Sequence, residues 1–232
     1  MKFTKTLIKG KLIKRYKRFF ADIKLDKEIV IAHCPNTGSM MGLLDEGNEV
    51  FISKNDNPKR KLKYTLEIIK VNKNLVGVNT HFANKIAYHG LSNNLIKEVS
   101  NNDSIRAEVF FDKETRFDFL LEKKNQKIFV EVKNVTLFRE EKIAEFPDSV
   151  TSRGSKHLKT LIEAIKKGYK SYLLFLVQIE GVESFKIAKD IDKEYYENYL
   201  LAKKAGVIFL AYRCKIDSKE IKIEKKIKII NV

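Results

Sequence analysis

Cysteine is scarce in this chain and has no pairing pattern. Cys34 and Cys214 are its only two thiols in 232 residues, and they lie far apart. His33-Cys34 has no second Cys/His pair near it, so a structural turn before Pro35-Asn36 explains it better than zinc ligation. Free thiols in a reducing compartment are expected, which excludes a disulfide scaffold. Long apolar runs are absent too. No stretch reaches the roughly eighteen residues a membrane helix needs. The basic N-terminus is interrupted by Lys9, Lys11, Lys14 and Arg15, which excludes a signal-peptide core and makes a cytoplasmic location the expectation. No internal repeat or low-complexity tract breaks the chain. Arginine is sparse: eight of the 46 basic residues, so the net charge of +16 is mostly a lysine excess.

A lysine excess can reflect composition bias as well as a polyanionic partner, so its distribution matters more than its total. Residues 1–100 hold 19 Lys/Arg against 9 Asp/Glu, and Met1–Lys24 holds nine basic residues against the single acid Asp22. Within that segment, Arg15-Tyr16-Lys17-Arg18-Phe19-Phe20 interleaves cations with rings. Cations meeting phosphate and rings stacking on bases would suit a DNA platform, with Arg15, Lys17 and Arg18 as contacts. Barrel-core rings with a solvated cationic rim give the same pattern. The hydrophobic fraction of 44% rules out global disorder and allows one large domain or two modest ones.

Residues 1 to about 80 read as short strands at Thr6–Ile13, Phe19–Leu25, Glu28–His33, Glu49–Ser53, Lys63–Val71 and Leu75–Val78. Pro35-Asn36-Thr37-Gly38 and Asp45-Glu46-Gly47-Asn48 are turns between them. Such spacing predicts a compact antiparallel barrel, without distinguishing an oligonucleotide-binding (OB) barrel from other small ones. Phe82–Ser100 fits short helical segments broken by Gly90 and by Ser92-Asn93-Asn94, and the domain junction falls there. Next come strands at Ile105–Phe111, Phe117–Glu122 and Ile128–Val135, then a helix after Gly154 with Leu158, Leu161, Ile162 and Ile165 on one stripe. A strand buried on both faces is expected at Tyr172–Ile179, a helix at Asp192–Ala205 and a buried strand at Val207–Tyr212. The tail from Glu220 to Val232 reads as an edge strand or hairpin.

The chemistry concentrates in one predicted hairpin. If the loop between the second and third of these strands holds two or four residues centred on Lys124-Asn125, Asp118 lies opposite Glu131 and Arg116 opposite Lys133. A loop of three or five residues puts the two acids on opposite faces. Opposed carboxylates destabilise a sheet unless something positive lies between them. Glu131 and Lys133 share a face, so two carboxylates and an ammonium converge, a hard-oxygen set suited to Mg²⁺ or Mn²⁺. Glu108 would be a third acid opposite Asp118 if the turn at Asp112–Glu114 holds three residues. Arg153, Lys156 and His157 open the following helix, whose N-terminus attracts phosphate.

The order of these elements, with an aspartate on the second core strand and Glu-x-Lys on the third, resembles the core of restriction-endonuclease-like (PD-(D/E)xK) metal-dependent nucleases. A wider likeness covers nearly the whole chain. The segments His33-Cys34-Pro35-Asn36-Thr37-Gly38-Ser39-Met40, Arg60-Lys61-Leu62, Val76-Gly77-Val78-Asn79-Thr80 and Arg116-Phe117-Asp118-Phe119-Leu120-Leu121 resemble the sugar fermentation stimulation protein A family. So do Glu131-Val132-Lys133-Asn134-Val135-Thr136-Leu137, Phe146-Pro147-Asp148-Ser149-Val150-Thr151, Arg153-Gly154-Ser155-Lys156-His157-Leu158 and Ala211-Tyr212. The resemblance implies an α+β protein of two domains. An OB-like barrel over residues 1–81 would precede a nuclease-like α/β domain with a mixed central sheet over residues 82–232. It implies DNA binding without marked sequence preference and a regulatory link to sugar, notably maltose, metabolism. By likeness to the nucleases, Asp118, Glu131 and the Val132 carbonyl would hold a divalent cation, with Lys133 beside the attacking water.

Overall fold

In the computed structural model, which describes residues 1–230, the first third of the chain curls into a barrel. Strands β1 (Ile8–Tyr16), β2 (Phe20–Lys24), β3 (Ile29–His33), β4 (Glu49–Lys54), β5 (Tyr64–Val71) and β6 (Asn74–Gly77) form one sheet in the order β3-β2-β1-β4-β5-β6. A parallel pairing of β3 with β5, Ala32 opposite Tyr64 and His33 opposite Thr65, closes five strands into a ring. The inward positions are apolar because alternation leaves one face dry: Leu12, Ala21, Ile23, Val50, Ile52 and Leu66 are fully buried. β1 runs farther than the sequence suggests, through Arg15 and Tyr16. Lys17 and Arg18 then take left-handed backbone (φ 45° and 62°) in the turn to β2.

The expected break at Gly90 does not occur. Helix α1 (Ala83–Ser92) continues through it and stops at Asn93. Glycine is required there by a neighbour rather than a bend, since a Cβ would sit 2.4 Å from Ile223 Cδ1.

Beyond α1 a second six-stranded sheet forms. Its strands are β7 (Ser104–Phe110), β8 (Arg116–Lys123), β9 (Gln126–Val135), β12 (Lys170–Val177), β14 (Ile208–Ile216) and β15 (Ile221–Lys226), in the order β15-β14-β12-β9-β8-β7. β7 to β9 are antiparallel, whereas β12 runs parallel to β9 and to β14, so the sheet is mixed. Helices α2 (Ser152–Lys166) and α3 (Lys193–Lys204) pack together beside it, and α1 lies against β9 and β15. α2 starts where Thr151 accepts the Gly154 amide at 3.0 Å, and the chain leaves its end through Gly168 (φ 85°).

Three short strands are absent from the sequence reading, β10 (Leu137–Glu140), β11 (Ile143–Phe146) and β13 (Ser184–Ile187), and a fourth, β16 (Lys228–Ile229), falls within the expected tail strand or hairpin. They form a small sheet held partly by charge, with buried Glu145 bonded to the Arg139 guanidinium at 2.8 Å. The tail therefore divides into β15 and β16, and Asn231 and Val232 lie outside the described residues.

Barrel and sheet are joined by backbone. Gly77 donates to the Gln178 carbonyl at 2.9 Å and Glu180 donates to that of Leu75 at 3.0 Å. A side-chain latch adds to this: Ser39 Oγ donates to the Asp148 carbonyl at 2.7 Å, and the Met40 amide to its carboxylate at 3.3 Å. Among the described residues no helix is long and apolar enough to cross a membrane.

Candidate functional site

The β8–β9 turn contains two residues, Lys124 and Asn125, both left-handed (φ 48° and 65°), the geometry that matches strand twist in the shortest hairpins. It sets Lys123 opposite Gln126 and Phe119 opposite Val130, the register that aligns Asp118 with Glu131. The ladder ends at that last pair. Beyond it Asp118 fills the gap between the strands, accepting the Val132 amide at 2.7 Å on Oδ2. Its Oδ1 accepts Asn84 Nδ2, from the first turn of α1, at 2.7 Å.

Glu131 lies deeper, at 3% exposure. Its Oε1 accepts Lys133 Nζ at 2.8 Å and makes a very short contact with His157 Nδ1, while Oε2 is buried with no hydrogen-bond partner among the described residues. His157 Nδ1 is also 3.4 Å from Lys133 Nζ, and its Nε2 is 3.4 Å from Arg153 Nε. His157 is thus brought to the carboxylates and faces inward. It stands one turn before Leu161 on the apolar stripe, the signal that could have placed it there.

The two acids divide their protonation unequally. Burial, and then the Glu131 charge, push the Asp118 carboxyl up to about 6. Burial also acts on Glu131, but Lys133 and His157 outweigh it and hold its carboxyl below the usual range. At neutral pH the pair is therefore two adjacent anions, one easily protonated.

Glu108 is opposite Asp118 as well. Phe111 donates to the Thr115 carbonyl at 2.9 Å across a three-residue turn, so Ala107 pairs with Phe119 and Val109 with Phe117. Glu108 itself has left-handed backbone (φ 57°), a conformation costing a non-glycine residue roughly 1–3 kcal/mol. Its carboxylate is exposed, pairs with Arg116 Nε at 2.8 Å and accepts Asn84 Nδ2 at 3.3 Å. Among the described residues no three His, Cys, Asp or Glu side chains converge as a ready-made cage. The site offers two carboxylates, with Glu108 at its margin.

The basic residues have different situations. Arg15 is committed to the barrel: its guanidinium donates to the carbonyls of Asn36 at 2.7 Å, Arg18 at 3.0 Å and Gly38 at 3.1 Å. Lys17 and Arg18 are exposed at the β1–β2 turn. Arg153 and Lys156 are exposed at the start of α2, Lys156 paired with Glu114 at 2.8 Å. Asn84 went unrecognised in the sequence because its partner is 34 positions away and no local pattern links them.

Two family profiles account for most of the chain. Residues 13–78 match the SfsA N-terminal OB domain, and residues 81–220 match the sugar fermentation stimulation protein RE domain. A sugar fermentation stimulation protein homolog of Pelagibacter ubique (strain HTCC1062) is 87% identical over the whole of both chains. One from Pseudoalteromonas atlantica is 44% identical over 99% of this chain and 100% of that protein. Among solved structures, "The structure of Pyrococcus Furiosus SfsA in complex with Ca2+" superposes with a TM-score of 0.89 at 25% identity, covering 99% of this chain and 98% of the other. The chain belongs to the sugar fermentation stimulation protein family.

Proposed function

We propose that this protein binds DNA without strong sequence preference and carries a Mg²⁺- or Mn²⁺-dependent phosphodiesterase site at Asp118, Glu131 and Lys133. The observation that carries the reading is the opposed carboxylate pair, one carboxyl lifted to about 6 and the other with an oxygen buried and unpartnered. Free carboxylates so placed repel each other and repel phosphate, so a hard cation is the partner that fits them. Mg²⁺ and Mn²⁺ need only one or two carboxylates and keep water and phosphate as their other ligands, which suits this donor set. That a relative was solved with Ca²⁺, another hard divalent cation, supports the same donor chemistry. Asp118 and Glu131 would hold such an ion, which would polarise a phosphate and acidify water.

The protein's own groups have definable parts. Val132 and Asn84 hold the two Asp118 oxygens, so the carboxylate is oriented before any ligand arrives. Glu131 and His157 hold the Lys133 ammonium where it can steady the attacking water or the charge developing on phosphorus. Lys17, Arg18, Arg153 and Lys156 supply phosphate contacts that position the duplex or strand without reading bases. The Lys156–Glu114 pair is exposed, worth no more than about 1 kcal/mol, and exchanges readily for a phosphate.

A second reading has its own observation. Glu131 Oε1 is already bonded to Lys133 and His157, an arrangement that compensates the buried charge with no metal. On this reading the nuclease-like domain serves as a platform for a non-catalytic DNA-binding regulator of sugar metabolism.

Incubation with plasmid and single-stranded DNA, with Mg²⁺, with Mn²⁺ and with chelator, decides between them. Cleavage that disappears in Asp118→Ala and Glu131→Ala while DNA retention persists establishes the enzyme. Intact metal-free binding without cleavage of any substrate establishes the platform. Affinity independent of salt removes the nucleic-acid reading altogether.

A further inference from the structure

The segment between barrel and sheet does more than connect them. Asn79 is buried, and its Nδ2 donates to Glu67 Oε2 at 2.7 Å. Glu67 is itself buried in the barrel wall, and its other oxygen accepts Ser53 Oγ at 2.6 Å. The next residue, Thr80, donates both its hydroxyl, at 2.7 Å, and its amide, at 3.2 Å, to the Pro35 carbonyl. Asn79 Oδ1 accepts the His81 amide and starts a single 3-10 turn, Thr80–Phe82, that runs into α1. The barrel therefore fixes both the position and the direction of the first turn of α1.

Asn84 is on that turn. Its side-chain nitrogen donates to Asp118 Oδ1 on β8 at 2.7 Å and to Glu108 Oε1 on β7 at 3.3 Å. An amide nitrogen has two hydrogens, and here they go to acids on two neighbouring strands. Both acids are at the one place where the β7–β8 ladder is irregular, with Glu108 in left-handed backbone. A carboxylate anchored only by the Val132 amide could still rotate about its Cβ–Cγ bond; the Asn84 contact removes that freedom.

We infer that Asn84 is a positioning residue for the metal centre. From a helix turn anchored to the barrel, it orients Asp118 and gathers Glu108 to its side, so cation affinity in the C-terminal domain depends on how its first helix is seated on the N-terminal one. The inference rests on the proposed carboxylate metal site.

Two measurements on the full chain test it. Mn²⁺ titration compares wild type, Asn84→Ala, Asp118→Ala and the double variant. Loss of an outer-shell hydrogen bond to a ligand weakens metal binding roughly 10-fold or more. Asn84→Ala should therefore cost about that factor in the wild-type background and nothing further once Asp118 is gone. Asn84→Gln, which keeps the donor on a longer arm, should recover part of the loss. Unchanged Mn²⁺ affinity in Asn84→Ala overturns the inference. So does an equal loss in the Asp118→Ala background, because that marks a general structural effect.

The second measurement needs no metal. The side-chain amide resonances of Asn84 are assigned in ¹⁵N spectra by their absence from Asn84→Asp. They should be well resolved and slow to exchange in wild type, and lose both properties in Asp118→Ala. Resonances indifferent to Asp118 overturn the inference even if Mn²⁺ binds. If wild type binds no Mn²⁺, the proposed metal site fails, and the ¹⁵N measurement alone decides whether Asn84 orients Asp118.

Discussion

Replacing Asp118 with asparagine should stabilise the metal-free protein, and the gain should grow with pH. The folded environment raises the Asp118 carboxyl from its reference of 3.8 to about 6, through burial and the neighbouring Glu131 charge. Ionising it there costs more than ionising it in the unfolded chain, by roughly 3 kcal/mol for a shift of this size. For a raised carboxyl the folded state holds its proton longer. The contribution to stability is thus fully present below pH 3.8 and is lost as pH rises to about 6. An asparagine at this position would carry no charge to lose. Its oxygen can still accept the Val132 amide, while Asn84 must turn its amide over and release Glu108, an exposed group that keeps Arg116. Allowing about 1 kcal/mol for that rearrangement leaves a net gain of about 2 kcal/mol above pH 6.5, which crosses zero at about pH 4.5 and becomes a small loss below it. Urea titrations in chelator at half-unit steps from pH 4 to 8 read this as a midpoint difference approaching about 1 M. A difference between the two proteins that is flat with pH refutes the reasoning. So does an Asp118→Asn variant less stable than wild type at pH 8.

Other consequences follow from the same contacts. His157→Ala leaves Glu131 buried with Lys133 as its one charged partner and should cost roughly 2–3 kcal/mol in urea, with His157→Gln recovering part; a loss below about 0.5 kcal/mol means that Glu131 does not depend on it. Gly38→Ala would place a Cβ 2.2 Å from Asp148 Oδ2 and should cost roughly 1–3 kcal/mol in thermal melts. Most of that cost should vanish in the background of Asp148→Ala, and additive losses would show that the latch is not what Gly38 serves. Lys17→Glu with Arg18→Glu should weaken DNA retention and lower the log–log salt slope by about 0.9 for each phosphate contact removed, whereas an unchanged slope takes the barrel turn out of the interface.

Much of the fold was legible because its signals are local. Alternating apolar residues set the barrel strands, and the run Tyr172–Ile179 could only be a strand covered on both faces. The Asp118–Glu131 register depended on a single number, the length of the turn at Lys124-Asn125, and Asn125 is a residue type that tolerates the left-handed conformation such a turn demands. What stayed hidden was held by partners distant in sequence. β10, β11 and β13 are four residues each and owe their place to Arg139, Glu145 and Lys186 pairing across the small sheet, so no apolar period marks them. Gly90 reads as a break until Ile223 is seen against it. Arg15 reads as a phosphate ligand until the carbonyls of the Asn36–Gly38 loop are seen around its guanidinium.

The cost of the site bears on which function it serves. A surface that only holds DNA needs exposed cations, and this chain has them at Lys17, Arg18, Arg153 and Lys156 without help from the sheet interior. Nothing in such a role calls for splitting the β8–β9 ladder at Asp118, turning Glu108 into left-handed backbone or burying Glu131 with an unpartnered oxygen. The strained backbone and the raised Asp118 carboxyl both lower the stability of the metal-free protein, and a cation held by the two carboxylates would relieve the second of these. Lys133 and His157 compensate Glu131 through Oε1, and the charge left uncompensated is that of Asp118. Titrating Mg²⁺ in thermal melts therefore weighs the two functions against each other. A cation that binds the folded state alone adds about 2.7 kcal/mol at a hundred times its dissociation constant. A metal centre predicts that this gain appears in wild type and is lost in Asp118→Ala and in Glu131→Ala. A platform whose carboxylates are already compensated predicts melting temperatures indifferent to the ion.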